Sequence, residues 1–362
     1  MKITVKLEPE KRDYNIVISE NEKELVGFLK KQKASSYVIV CDSITEKLFG
    51  RKLKQLLAKK GMKTELLSFE GGEKSKNLTT VENILDKMLA KGIDRNSFVV
   101  ALGGGVVGDL AGFVAASYMR GIPYVQVPTT LLAMVDSGLG GKVGVDLKHG
   151  KNSCGAFYQP KAMFVNISYL DSLPKKQIKN GLAECIKHGI IADKKMFLFI
   201  EKNLDKIFSK KRTVLKKLVA DNCRIKSRIV MKDEKEKGLR KTVNFGHTIG
   251  HAVESVTNYR KYSHSEAIAC GMYYEALLAQ KLTGFSENET QRIRKIIERT
   301  GFRIRLAEIT NKKLVEAMKK DKKNVSGKIN FSFPTRIGKM FPAKGKYSVS
   351  ASPTLIRKVL GK

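Results

Sequence analysis

Two hydrophobic periods run along this 362-residue chain, and the point where one gives way to the other predicts its organisation. Through about residue 170, short apolar runs alternate with amphipathic stretches. Ile3-Thr4-Val5 and residues 14–19 alternate apolar and polar side chains on either side of PEKRD, the pattern of an antiparallel hairpin. An amphipathic helix over 20–31 precedes the apolar run 36–42, which reads as a buried strand ending in Asp42. A helix over 44–60, a strand over 63–69, the turn GGEKSK at 71–76 and a helix over 81–91 continue a β–α alternation. Such alternation predicts a parallel α/β layer.

The strand expected at 97–102 runs straight into Gly103-Gly104-Gly105-Val106-Val107-Gly108-Asp109, with a helix expected over 110–119. Glycines there let the backbone turn sharply and approach a pyrophosphate, and the following helix offers its N–H groups and positive end. A tight βα turn without a ligand would use the same residues. The usual dinucleotide fingerprint places an acid about 20 residues later, at the end of the next strand. Here that strand, 124–127, ends in Pro128-Thr129-Thr130, and the candidate ribose-binding acid is Asp42, well upstream. A nucleotide would therefore sit in a related but different topology.

Residues 122–147 are dense in small side chains, and Gly138, Gly140, Gly141 and Gly144 are poor helix formers. Lys142 and Lys151 beside such backbone suit an anionic ligand, because lysine presents a point charge to phosphate or carboxylate. After 167–170 and the break at Pro174 the pattern turns long and helical, with almost no strand signal before 329–333. The expectation is two domains: 1–170, Rossmann-like and parallel α/β, and 171–362, mostly helical.

Composition narrows the function classes. A hydrophobic content of 42% sustains packed cores. No run approaches the roughly 18 apolar residues of a membrane helix, and MKITVKLEPEKRD is no signal region, so a soluble cytoplasmic protein without membrane partners is expected. Cys41, Cys154, Cys185, Cys223 and Cys270 are odd in number, dispersed and without CxxC spacing, which argues against a disulfide framework or a cysteine-held metal. The net charge of +34 is spread as KK and KxxK pairs with no arm, stripe or nucleic-acid module, so no specific nucleic-acid partner is expected. A positive field of this kind favours an anionic small molecule.

Three of the five histidines fall in LRKTVNFGHTIGHAVESVTNYRKYSH, residues 239–264. His247 and His251 are four apart and share one helix face, and His264 follows a polar segment. Glu184 supplies a carboxylate in the apolar run GLAECIKHG. Two histidines and a carboxylate with an open fourth position make a catalytic zinc site, and spacing alone selects His247 and His251 as the histidine pair. Zinc proteases carry a glutamate between such histidines; His-Thr-Ile-Gly-His lacks it, so that reading fails at its general base.

In this order and at these separations, GGGVVGD, VPTTLLAMVDSGLGGKVGVD, GKN, GLAECIKHG and LRKTVNFGHTIGH make the chain resemble the 3-dehydroquinate synthase family across nearly its whole length. The resemblance implies an N-terminal Rossmann-like and a C-terminal helical domain. It also implies an enzyme that takes 3-deoxy-arabino-heptulosonate 7-phosphate, a sugar acid phosphate, to 3-dehydroquinate and phosphate. NAD is reduced and reoxidised in each turnover, and a divalent metal, zinc or cobalt, assists. It assigns the metal to Glu184, His247 and His264, replacing the pair chosen by spacing, and makes His251 a substrate contact.

The same resemblance places Asp42, Glu73 and Lys76 on the adenosine side of NAD and Gly104, Gly105, Val106 and Asp109 at its pyrophosphate. Thr129, Thr130, Asp136, Lys142, Lys151 and Ser172 lie along the cofactor. Lys142, Lys151, Asn152, Lys187, Lys226, Arg240 and Asn244 line the substrate, joined by a late lysine, Lys322 or Lys323. Arg120 is implied to reach a neighbouring subunit's phosphate site, hence a homodimer. Two departures are mild: Gln177 stands where a glutamate is expected and Ser172 where a threonine is usual. The alternatives are a cyclase acting on another sugar phosphate and a metal-dependent alcohol or glycerol dehydrogenase. The many lysines argue against the latter, because a small neutral alcohol needs no such charge.

Overall fold

The computed structural model describes residues 12–258, 260–306, 309–319 and 328–361. Ile3-Thr4-Val5 and Lys322 or Lys323 lie outside these. The chain divides into two units, one formed by residues through Thr129 with Gly140–Asn166, the other by Thr130–Leu139 with residues from Ile167 onward. Residues 130–139, assigned by hydrophobic period to the first part, pack with the second. A short helical turn carries no period of its own, so its packing partners were not legible from spacing.

In the first unit the chain follows β1 (Asn15–Ser19), α1 (Lys23–Gln32), β2 (Tyr37–Asp42), α2 (Ser43–Thr45), the wide turn Glu46–Gly50, α3 (Arg51–Lys59), β3 (Thr64–Phe69), α4 (Leu78–Ala90), β4 (Phe98–Gly103), α5 (Gly105–Ser117) and β5 (Tyr124–Pro128). It then forms β6 (Lys142–Leu147), β7 (Gly150–Phe157) and β8 (Ala162–Asn166). Six of these strands make a sheet of order β1-β8-β5-β4-β2-β3, and every pair is parallel. β2 and β4 are buried almost throughout, which explains why they read as unbroken apolar runs. Val38, Val40, Val99 and Ala101 face Leu110, Ala111 and Val114 of α5 in one core.

β1 pairs in parallel with β8, so its sheet partner comes from the far end of the unit. Gly138, Gly140 and Gly141 lie in the irregular segment before β6, while Gly144 belongs to an antiparallel hairpin of β6 and β7. Its glycines answer close approach: a Cβ on Gly144 would stand 2.4 Å from the Cys154 carbonyl oxygen, and one on Gly155 2.1 Å from that of Val143. Gly112 of α5 likewise makes room for Val143, whose Cγ1 a Cβ would meet at 2.4 Å.

The second unit is helical: α6 (Lys175–Ala192), α7 (Lys194–Phe208), α8 (Arg212–Lys232), α9 (His247–Val256), α10 (His264–Leu282), α11 (Glu287–Arg299) and α12 (Asn311–Lys319). β9 (Ile329–Phe331), β10 (Pro334–Arg336), β11 (Lys339–Met340), β12 (Val349–Ala351) and α13 (Pro353–Leu360) follow, with β12 paired to β9 and β10 to β11, both antiparallel. α6 is its centre, buried without interruption from Gly181 to Ile191 and packed on α7, α8 and α10. Gly181 admits Leu131, whose Cγ a Cβ would meet at 2.5 Å. Among the described residues no helix is long and apolar enough to cross a membrane.

Candidate active site

In the first unit, strand order locates the ligand crevice. The chain progresses one way from β2 to β3 and the other way from β4 through β5 to β8, so it reverses between the neighbours β2 and β4. Open α/β sheets take ligands at the carboxyl ends of such strands. Asp42 ends β2, and Gly103 ends β4, with Gly104 and Gly105 opening α5. This explains the missing downstream acid. The acid-bearing neighbour of the glycine strand here precedes it in the chain. One Asp42 oxygen accepts the Thr45 N–H at 2.7 Å, holding the carboxylate at the strand end.

Beside this crevice a polar network joins residues far apart in sequence. Lys76, 5% exposed, donates to Asp109 Oδ2 at 2.6 Å and to Asn152 Oδ1 at 2.5 Å. Asn152 holds a left-handed φ of 50° and donates its N–H to Asp146 Oδ1 at 2.7 Å, while the Asp146 N–H donates to the Lys76 carbonyl at 2.8 Å. Burial would lower the Lys76 pKa, but the Asp109 carboxylate outweighs it and holds the pKa above the ordinary value. Lys151 lies 3.9 Å from Glu73, Thr129 donates its N–H to the Gly103 carbonyl at 2.9 Å, and Lys142 is exposed at the start of β6. Arg120 follows Met119, and both are left-handed, φ 69° and 47°. Non-glycine residues adopt that region at a cost, and such strain clusters at functional sites.

In the second unit α6, α9 and α10 bring Glu184, His247 and His264 together, with ligand atoms within 4.8 Å of one another. The crossing of α9 and α10 is glycine-made. A Cβ on Gly271 would lie 2.0 Å from the Gly246 carbonyl oxygen, and Gly246 itself is left-handed at φ 83°. Buried Glu275 of α10 caps α9, accepting the N–H of Gly246 at 2.7 Å and of Ile249 at 3.1 Å. His264 is the first residue of α10, fixed by the Ser263–Glu266 capping box.

The donor set fits a divalent cation. Glu184 is 1% exposed, and its Oε2 pairs with the Lys187 ammonium. One carboxylate and two imidazoles, with ligand atoms this close together, are the donors a divalent cation such as zinc accepts. His247 Nδ1 lies 3.3 Å from the Phe245 carbonyl, which places its proton there and leaves Nε2 with the lone pair. His251 is not in this set; its ring centroid is 5.2 Å from that of His247 and 6.1 Å from that of His264.

Around it, Lys226 donates to Asp136 Oδ1 at 2.6 Å and to the Asp136 carbonyl at 2.5 Å. Burial would raise the Asp136 pKa, yet the Lys226 charge takes it well below the ordinary range; burial in turn lowers that of Lys226. Arg240 is buried and donates through Nη1 to the Glu234 carbonyl, and Asn244 donates to Glu236. Thr130 Oγ1 accepts the Ala133 N–H at 3.2 Å, Ser172 donates to the Tyr169 carbonyl at 3.1 Å, and Gln177 accepts from Asn180 at 3.2 Å.

Sequence reasoning missed His188, fully buried with Nδ1 2.9 Å from Asn222 Oδ1 and Nε2 3.6 Å from Asp136. It also missed Asp233 and Glu254. For Glu254 a signal existed, since it continues the His247, His251 stripe by three residues.

The fold is shared with sugar phosphate cyclases solved with NAD+ and a divalent metal. The structure superposes on a 2-epi-5-epi-valiolone synthase from Streptomyces hygroscopicus, solved with NAD+ and Zn2+, at TM-score 0.87 and 24% identity, covering 99% of this chain and 98% of that one. It superposes on a 2-deoxy-scyllo-inosose synthase, solved with carbaglucose-6-phosphate, NAD+ and Co2+, at TM-score 0.84 and 27% identity, covering 95% of each. The family models 3-dehydroquinate synthase N-terminal and 3-dehydroquinate synthase C-terminal match residues 66–180 and 181–324. The 3-dehydroquinate synthase of Alkaliphilus metalliredigens is 46% identical over 83% of this chain and 84% of its own. The chain belongs to the 3-dehydroquinate synthase family.

Proposed function

We propose that the chain converts 3-deoxy-arabino-heptulosonate 7-phosphate to 3-dehydroquinate and phosphate, with NAD and zinc as cofactors. The observation that carries this reading is the convergence of Glu184, His247 and His264, with ligand atoms within 4.8 Å of one another, in a chain of this family. NAD would withdraw and return a hydride at one substrate carbon, and zinc would lower the pKa of the hydroxyl it touches.

The chain's own residues supply binding, orientation and charge. Asp42 and the Gly104-Gly105 turn hold the dinucleotide, with Glu73 and Val106 beside them, and Lys76 fixes Asp109 and Asn152 relative to one another. The positive charge of Lys187, Lys226 and Arg240 suits a ligand bearing carboxylate and phosphate, as does that of Lys142 and Lys151. Buried Lys187 and Lys226 are paired with Glu184 and Asp136. His251 and Asn244 offer hydrogen bonds that orient the hydroxyls, and Thr129, Thr130 and Ser172 border the cofactor. Arg120 serves a second copy's phosphate site in a homodimer, which the strained Met119-Arg120 pair supports.

The test is phosphate release from the heptulosonate phosphate with zinc and a trace of NAD, followed together with absorbance at 340 nm. Phosphate release without net NADH is expected, and chelation of the metal abolishes it. Net NADH, or phosphate release only from sedoheptulose 7-phosphate or glucose 6-phosphate, overturns the assignment.

A further inference from the structure

We infer that Glu254 is a positioning residue for the metal centre: it holds the His264 imidazole in the orientation and tautomer that complete the set with Glu184 and His247. Four observations carry this. Residues 247, 251 and 254 fall on one stripe of α9, so the carboxylate follows the histidines by one further turn. Glu254 is 3% exposed, a position where an unpartnered charge is strongly disfavoured. Its Oε2 lies 3.3 Å from His264 Nδ1. Finally, α10 is anchored at that point by the capping box, so the His264 backbone is fixed and its ring orientation remains to be set.

A carboxylate on Nδ1 keeps the ring proton there and leaves the Nε2 lone pair for a cation. It also makes the imidazole a stronger donor, the arrangement in which metal-bound histidines are commonly oriented. His251, Glu254 and His264 themselves offer ligand atoms within 4.8 Å of one another, which could be taken as a second cation site. His264 Nδ1 cannot both donate to Glu254 and bind a metal, and the neighbouring trio with Glu184 makes the donor role the useful one.

The inference rests on the metal reading of Glu184, His247 and His264, and the experiment separates the two. Full-length wild type, E254Q and E254A are stripped of metal. Zinc affinity and stoichiometry are read by competition with a chromophoric chelator, Co2+ binding by its visible absorption, and apoprotein stability by calorimetry. E254Q keeps an acceptor for Nδ1–H but loses the charge. We expect about 10-fold weaker zinc binding in E254Q and about 100-fold in E254A, with altered Co2+ bands. The E254Q apoprotein should melt close to wild type. Wild-type affinity in both variants overturns the role of Glu254, as does a drop from two zinc ions per chain to one. Failure of wild type to bind zinc sinks the metal reading itself.

Discussion

Replacing Gly271 by alanine should weaken metal binding out of proportion to the stability it costs. The new Cβ would stand 2.0 Å from the Gly246 carbonyl oxygen, 2.9 Å from its carbon and 3.0 Å from the Gly250 nitrogen. All three are backbone atoms of the α9 region, so no rotamer change relieves the clash. A carbon–oxygen contact settles near 3.3 Å or beyond, so α9 must withdraw by on the order of 1 Å. Two effects compete in stability. Alanine in a helix interior gains roughly 1 kcal/mol over glycine, and overpacking costs roughly 1–3 kcal/mol. With rigid backbone on both sides the upper part of that range applies, leaving a net loss of roughly 1–2 kcal/mol and a melting temperature lower by about 2–6 °C. Metal ligation tolerates only about 0.2 Å. His247 rides on α9 and His264 on α10, so the same displacement should raise the zinc Kd at least about 10-fold. Calorimetry and chelator competition measure the two effects on one sample. The control is Gly27→Ala, an exposed position of α1 with nothing within 4 Å of the added methyl, where a gain of roughly 0.5–1 kcal/mol is expected. Zinc affinity unchanged in Gly271→Ala, or a melting temperature raised as in the control, would refute the argument that the helix crossing sets the metal geometry.

Two other perturbations probe the polar networks. Lys76→Met should cost roughly 2–3 kcal/mol by leaving Asp109 and Asn152 without their donor, less than a fully buried pair because Asp109 is 20% exposed. Burial depresses the Lys76 pKa but Asp109 raises it above the ordinary 10.5. Its stabilisation is therefore complete below that value and lost as pH climbs through the folded pKa. Urea unfolding of wild type should hold steady to about pH 10 and weaken beyond it; an identical alkaline loss in Lys76→Met would clear the pair of responsibility. Asp233→Asn should loosen the segment bearing Arg240, since Asp233 accepts the N–H groups of Lys237, Gly238 and Arg240 at 2.9, 2.7 and 2.9 Å. Burial raises the Asp233 pKa, but those bonds carry it below 3.8, so the wild-type stabilisation is present above 3.8 and disappears as pH falls through the folded value. A several-fold rise in substrate KM at unchanged zinc affinity is expected, and an unchanged KM would show that the segment holds without this carboxylate.

The sheet was legible because β2 and β4 are buried on both faces and their apolar runs say so in one dimension. The glycine turn and the acid of Asp42 were also visible, but their adjacency was not, because strand order is a three-dimensional fact that places a preceding strand beside a later one. The β6–β7 hairpin was obscured by its own solution to close packing, as Gly144 and Gly155 remove the alternation by which strands are recognised. At the metal, spacing found His247 but paired it with His251, since helical periodicity operates within an element. Glu184 was offered as the carboxylate, but spacing could not choose His264 over His251, because His264 arrives on α10 through the packing of Gly246 against Gly271. His188 and Asn222 gave no signal, being polar residues inside helices whose partners lie 34 residues apart.

The excursion of Thr130–Leu139 into the helical unit has a consequence for how such a chain can be cut and exchanged. Leu131 fills the notch at Gly181, the Met134 carbonyl accepts from Cys223, and Asp136 neutralises Lys226. A fragment beginning at Ile167 would therefore lack a filler for α6 and the counter-charge for a buried ammonium. Chimeras between relatives need junctions at 129/130, 139/140 and 166/167 together, so this decapeptide must be inherited with the helices it serves and not with the sheet that surrounds it in sequence.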